Sequence, residues 1–286
     1  MDRIRLCFEE QATGELQRIY KDIRHETHFP WVPMVFQALA PFCDFTRLCW
    51  RELRPLVRHQ AVEYGAAHLL RLANERVATE LKPENDVDYL LDRKLQRSLT
   101  KYHRQLLPFY LAAPRIAIWL SRVHTWFFER RPAESPELLR LQRLPYPTEM
   151  GEVVRPIRDE TATPSCLALF EQIQGDLRLP FVSTIYRVMA RNPEFLSPAW
   201  HSLREMFPRP EFKCIGDDLE QAAYAWSHEL PLTKITREQI EKLPDMDEHS
   251  MRLLSVVVDV FQETSLRLII HLTYWSHQLH AARSRE

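Results

Sequence analysis

Apolar positions along most of the chain recur at helical rather than strand spacing. Leu16, Ile19, Tyr20 and Ile23 form one such stripe, and Leu167, Phe170 and Ile173 form another; each predicts a single buried helix face. The pattern predicts helices over about 13–28, 32–40 and 43–54, with a turn at His28-Phe29-Pro30, and the same set once more in the second half. Thr13 and Thr163 stand where N-caps are expected. Thr163 is followed by Pro164, at a first-turn position where a missing N–H does no harm. Each set leads on to a long apolar helix, LLPFYLAAPRIAIWLSRVHTWFFER in the first and LLSVVVDVFQETSLRLIIHLTYWSHQL in the second, with Trp126 opposite Trp275.

The two sets register without a gap when Glu10 to Arg54 is laid on Glu160 to Arg204. Eleven pairs are identical, among them Pro30/Pro180, Val32/Val182, Ala40/Ala190, Phe45/Phe195, Trp50/Trp200 and Arg54/Arg204. Chance would give roughly three. Internal duplication is the reading, with a first helical repeat over 1–130, a proline-rich crossover over 131–158 and a second repeat over 159–286. Two copies of one unit are expected to pack as a pseudo-two-fold dimer, with a cleft where they meet.

Composition sharpens the fold class to all-α. The 286 residues hold only 5 Gly against 20 Pro, which is poor material for primed hairpin turns or Gly-rich phosphate loops. Lys plus Arg at 38 against Asp plus Glu at 39 leaves a net charge of -1, so no global field gathers nucleic acid or an anionic membrane. Five cysteines, Cys7, Cys43, Cys49, Cys166 and Cys214, form no CxxC pair, which speaks against a zinc ribbon or disulfide framework and for a reduced, cytoplasmic setting. The N-terminus lacks the apolar core of a secretory signal, and the run Leu253 to Phe261 is broken by Asp259. His25 and His28 have H-x-x-H spacing without a third ligand, so no metal is expected. No cofactor is expected either, and exposed repeat faces make a homodimer reasonable.

Candidate chemistry lies just after the repeated proline. Pro33, Met34 and Phe36 in the first copy face Ser183, Thr184 and Tyr186 in the second, so one wall is apolar and the other offers hydroxyls at a helix start. A merely structural role, with Ser183 capping and Tyr186 packing, is the alternative. Cys49 lies on the same wall as Val35 and Phe36 and is expected to be an apolar filler.

The doubled F/L-P-x-V-x-x-x-F/Y-x-x-hydrophobic-A unit, with Trp50 and Trp200 following Ala40 and Ala190, resembles the group I 2-haloacid dehalogenases. These are all-helical, cofactor-free enzymes acting on D- or on both D- and L-2-haloalkanoic acids. The resemblance implies that a carboxylate near the start of the second-copy helix activates a water, which displaces halide from C2 with inversion. Laid on the family pattern V-N-[ST]-D-Y, the chain reads Val182-Ser183-Thr184-Ile185-Tyr186, so Ile185 takes the place of the water-activating aspartate. An alkyl side chain takes no proton, and Thr184 is far too weak an acid to substitute. A family asparagine associated with the L-enantiomer corresponds to Ala199, and to Cys49 in the first copy.

Trp31, Val35, Phe36, Cys49, Ser183, Tyr186, Ala199 and Tyr274 are the implied walls around a small organic acid, and His271 on the last helix is the candidate replacement base. Three functions follow as expectations: a dehalogenase with its base relocated, a related enzyme running another reaction on a metabolite, or a ligand- or partner-binding member without catalysis.

Overall fold

The computed structural model describes residues 4–83, 86–128, 154–231 and 235–285. Among them are helices and no strand. The described residues form twelve α-helices, in order: α1 Gly14–Thr27, α2 Met34–Leu39, α3 Cys43–Leu53, α4 Gln60–Arg76, α5 Arg93–Gln96, α6 Leu99–His124, α7 Pro164–Leu177, α8 Thr184–Met189, α9 Pro193–Arg204, α10 Pro210–His228, α11 Arg237–Glu241 and α12 Glu248–Arg283. Most of the crossover assigned to 131–158 lies outside the described residues.

The first three helices of each half share their local chemistry. His28 and Arg178 both adopt left-handed backbone, with φ of 52° and 55°, and so end α1 and α7. Pro30 and Pro180 follow closely, and a proline disfavours helical backbone in the residue before it, so the helix does not resume there. An extended segment flanks each short helix, with Cys7 N–H donating to Gln37 O at 2.9 Å and Ile157 N–H donating to Arg187 O at 3.0 Å. The side chains of Gln37 and Arg187 reach back to Val32 O and Val182 O, at 2.8 and 3.2 Å. These two pairs recur in position although their residues differ.

Thr163 caps α7 as expected, accepting from Cys166 N–H at 3.3 Å. Thr13 does not cap α1. The residue after it, Gly14, has φ of 55° and turns the chain away from capping geometry, whereas Pro164 holds a helical φ at the matching place.

The chain forms two compact units, each discontinuous in sequence. The first comprises Met1–Leu69, Leu111–Met150 and Leu219–Leu266, and the second Leu70–Tyr110, Gly151–Asp218 and Arg267–Glu286. Within the first, Phe29 stacks on Trp31 and tilts against Trp119, at 5.8 Å in both cases, and Phe36 meets Trp50 edge-on at 5.7 Å. Within the second, Tyr102 stacks on Phe195 at 4.7 Å, and Tyr186 meets Trp200 edge-on at 5.4 Å. Among the described residues, no helix is long and apolar enough to cross a membrane.

Candidate functional site

The second unit holds most of the candidate residues. Ser183 stands at the N-cap of α8 but makes no side-chain cap bond; its hydroxyl is buried and has no partner among the described residues. Thr184 is half-buried, and Ile185 is buried at 1% exposure. The run that sequence marks as polar therefore turns Ser183, Ile185 and Tyr186 inward.

Tyr186 hydroxyl and His271 Nδ1 lie 2.6 Å apart, both residues at 1% exposure. Phe207 stacks on the imidazole at 5.5 Å, Phe212 tilts over it at 5.9 Å, and Trp200 abuts it edge-on at 6.1 Å. His271 Nε2 is buried and has no partner among the described residues.

That orphan decides the direction of the bond. If the phenol donates to Nδ1, the ring proton sits on Nε2 and one buried donor is left over. If Nδ1–H donates instead, both the phenol hydrogen and a bare Nε2 are left over. Each buried orphan costs about 1–3 kcal/mol, so the first arrangement prevails: Tyr186 donates and His271 carries its hydrogen on Nε2. Burial, assisted by the Arg267 guanidinium one turn earlier on α12, pushes the imidazole down to about 3, and burial pushes the phenol well up. The pair is neutral at neutral pH.

Ala199 and Tyr274 belong to adjoining parts of the same unit. Ala199 O accepts the Trp275 indole N–H at 3.0 Å, and Trp275 meets Tyr186 edge-on at 6.0 Å. Tyr274 hydroxyl lies 3.0 Å from Ser202 Oγ, which accepts from Gln278 at 2.9 Å; Gln278 in turn accepts from Tyr89 at 3.0 Å. Tyr274 is thus held in a chain of hydrogen bonds of its own.

In the first unit, Val35, Phe36 and Cys49 line one apolar pocket with Trp119, Leu120 and Val123. Trp31 stands apart from that lining, stacked on Phe29. Cys49 is wholly buried and burial drives its thiol far upward, so it is a filler and no nucleophile. Phe36 repeats the edge-on geometry of Tyr186 without a hydroxyl.

Asp22, His25 and Glu26 bring donor atoms within 4.8 Å of one another, but the carboxylates already serve neighbours. Asp22 accepts from Trp50 Nε1 at 2.8 Å and Arg54 Nε at 2.7 Å, and Glu26 accepts from Arg54 Nη2 at 2.7 Å. A separate groove of about 420 Å³ in the first unit is lined by Phe127, Phe128, Met246, Met251 and Arg252, and none of the sequence-derived site residues borders it. Sequence reasoning missed Phe207 and Phe212, whose only signal is two aromatics in the proline-rich turn Phe207-Pro208-Arg209-Pro210 and just beyond it.

No protein-family model matches the chain. It is 22% identical over 279 residues to an (R)-2-haloacid dehalogenase of Pseudomonas putida, covering 96% of this chain and 92% of that protein. It is 25% identical over 241 residues to an (R)-2-haloacid dehalogenase of Rhizobium sp. (strain NHG3), covering 80% and 88%. A configuration-inverting 2-haloacid dehalogenase of Pseudomonas sp. (strain 113) is 24% identical over 220 residues, covering 74% and 71%. Among solved structures, a D-2-haloacid dehalogenase mutant in complex with D-2-CPA has the same fold, with a TM-score of 0.84, 22% identity and 97% of each chain covered. A D-2-haloacid dehalogenase in complex with L-LA matches with a TM-score of 0.83 and 21% identity, again over 97% of each chain.

Proposed function

We propose, from its similarity to 2-haloacid dehalogenases along nearly its whole length, that this chain is a 2-haloacid dehalogenase-like enzyme of altered hydrolytic chemistry, acting on a small 2-substituted carboxylic acid. The observation that carries the reading is the coincidence of full-length likeness with a buried polar pair, Tyr186 and His271, beside the α8 start where the resemblance puts the reacting groups. Two relatives act on the (R) acid by their names, and Ala199 fits a D-selective wall. The duplication of an ancestral helical unit is part of the same proposal, supported by the recurrence of His28/Arg178 and Cys7/Ile157 geometry.

Hydrolysis needs a base that takes a proton from water as it attacks C2, a contribution of roughly 10²–10⁴-fold. Ile185 cannot supply it. His271, with its proton on Nε2 and its basicity suppressed by burial, is poorly suited to replace it in this arrangement. This favours a second reading in which the pocket binds the acid and runs a different or much slower reaction.

Halide release from D- and L-2-chloropropionate, measured for the wild type and for Ile185→Asp, separates the two. Release by the wild type means that water activation survives without an aspartate here. Release by the variant alone means that the pocket persists and only the base was lost. Silence of both, with no thermal shift by either acid, overturns the haloacid reading.

A further inference from the structure

The interior of the second unit contains a donor with no partner among the described residues. Tyr186 engages the imidazole of His271 at Nδ1, which leaves Nε2–H buried on a ring packed among Phe207, Phe212 and Trp200. The other N–H groups of that aromatic cluster are committed: Trp200 Nε1 donates to Asp176 at 3.1 Å and Trp275 Nε1 donates to Ala199 O at 3.0 Å. A nearby positive charge is that of Arg267, one turn earlier on α12, whose Nη1 also donates to Leu177 O at 3.3 Å. A buried N–H, held in one tautomer on a ring packed among aromatics and within the field of a guanidinium, suits an anion small enough to shed its water.

We propose that His271 Nε2–H is the donor of a small monovalent-anion site, taking either the carboxylate of the acid or the halide it releases, with Tyr186 as the positioning residue that holds the proton on Nε2. The inference rests on the haloacid reading for the identity of the anion, and reverses the role expected of His271 from base to donor. Phe36 at the matching place of the first copy explains why only one half would carry such a site.

The test is nitrogen NMR on full-length protein labelled at histidine, titrated at constant ionic strength with sodium bromide and, separately, with sodium propionate. The expected result is an Nε2–H tautomer for His271 whose Nε2 resonance moves saturably. Response to bromide marks a halide site, and response to propionate marks a carboxylate site. Bromide binding should also quench the fluorescence of Trp200 and Trp275. His271→Phe, which keeps the stack on Phe207, should weaken binding roughly ten- to hundredfold. An Nδ1–H tautomer, no saturable shift with either anion, or undiminished binding by the variant overturns the proposal. Haloacid turnover that persists in His271→Phe defeats this inference alone, whereas anion binding lost in that variant, in a protein silent toward haloacids, defeats only the functional reading.

Discussion

Arg115 and Glu63 form a two-pronged ion pair inside the first unit, with Nε to Oε1 at 3.0 Å, Nη2 to Oε2 at 2.6 Å and the guanidinium side chain at 0% exposure. Removing one partner leaves the other charge buried without its counter-charge. Glu63→Ala should therefore cost about 3–5 kcal/mol, read as a lowered urea midpoint at an unchanged slope. Glu63→Leu combined with Arg115→Met should recover much of that loss, because neither charge of the pair then remains in the interior. Equal losses for the single and double variants would contradict this account.

At Gly65, α4 packs tightly against its neighbours. A Cβ there would sit 2.7 Å from Ile118 Cδ1, 2.7 Å from Trp226 Cγ and 2.9 Å from Trp226 Cβ. The Ile118 methyl can swing aside, but the two Trp226 atoms lie next to the backbone and cannot. Trp226 is also pinned by its indole bond to His68 Nδ1 at 2.9 Å. Gly65→Ala, which helix propensity alone would favour, should instead destabilise by about 1–3 kcal/mol. A raised melting temperature would refute the packing argument.

Ile185→Asp, the variant that places a carboxylate where the resemblance implies one, carries its own structural cost. Ile185 is buried at 1% exposure, so the change forfeits about 1.5–3 kcal/mol of apolar burial and places a carboxyl in that space. We expect a melting temperature several degrees below wild type, falling further as pH rises and the new carboxyl must ionise. A variant as stable as wild type across that range would mean that the α8 start already accommodates charge.

The helices were legible because their periodicity is local: the expected 13–28, 32–40 and 43–54 correspond to Gly14–Thr27, Met34–Leu39 and Cys43–Leu53. The Cys7/Ile157 and Gln37/Arg187 bonds were not, because a backbone bond leaves no identity in the side chains that carry it. At the candidate site, the sequence pointed to Ser183, Tyr186 and His271 but not to their pairing. The 2.6 Å contact joins positions far apart in the chain, on α8 and α12. Phe207 and Phe212 went unnoticed because aromatics in a proline turn look like loop anchors. Thr13 failed for a reason one residue away, since Gly14 adopts a φ that no cap pattern encodes.

The buried imidazole also makes stability depend on pH in a direction that can be fixed beforehand. His271 is held down to about 3 in the folded chain, against about 6.5 when unfolded. Between those values the unfolded chain binds the proton and the folded one does not, so protonation favours unfolding. The contribution is complete above about pH 6.5 and is lost progressively as pH falls toward 3, at about 1.4 kcal/mol per pH unit, or about 3 kcal/mol by pH 4.5. His28 and His103, lowered chiefly by burial, act in the same direction. Urea midpoints of wild type and His271→Phe at pH 7 and pH 4.5 isolate the term, since carboxylates and the other histidines affect both proteins alike. The wild type should lose more stability than the variant over that interval. Equal losses would mean that the imidazole is already able to take a proton where it lies, and that water or a counter-charge reaches Nε2 in the native protein.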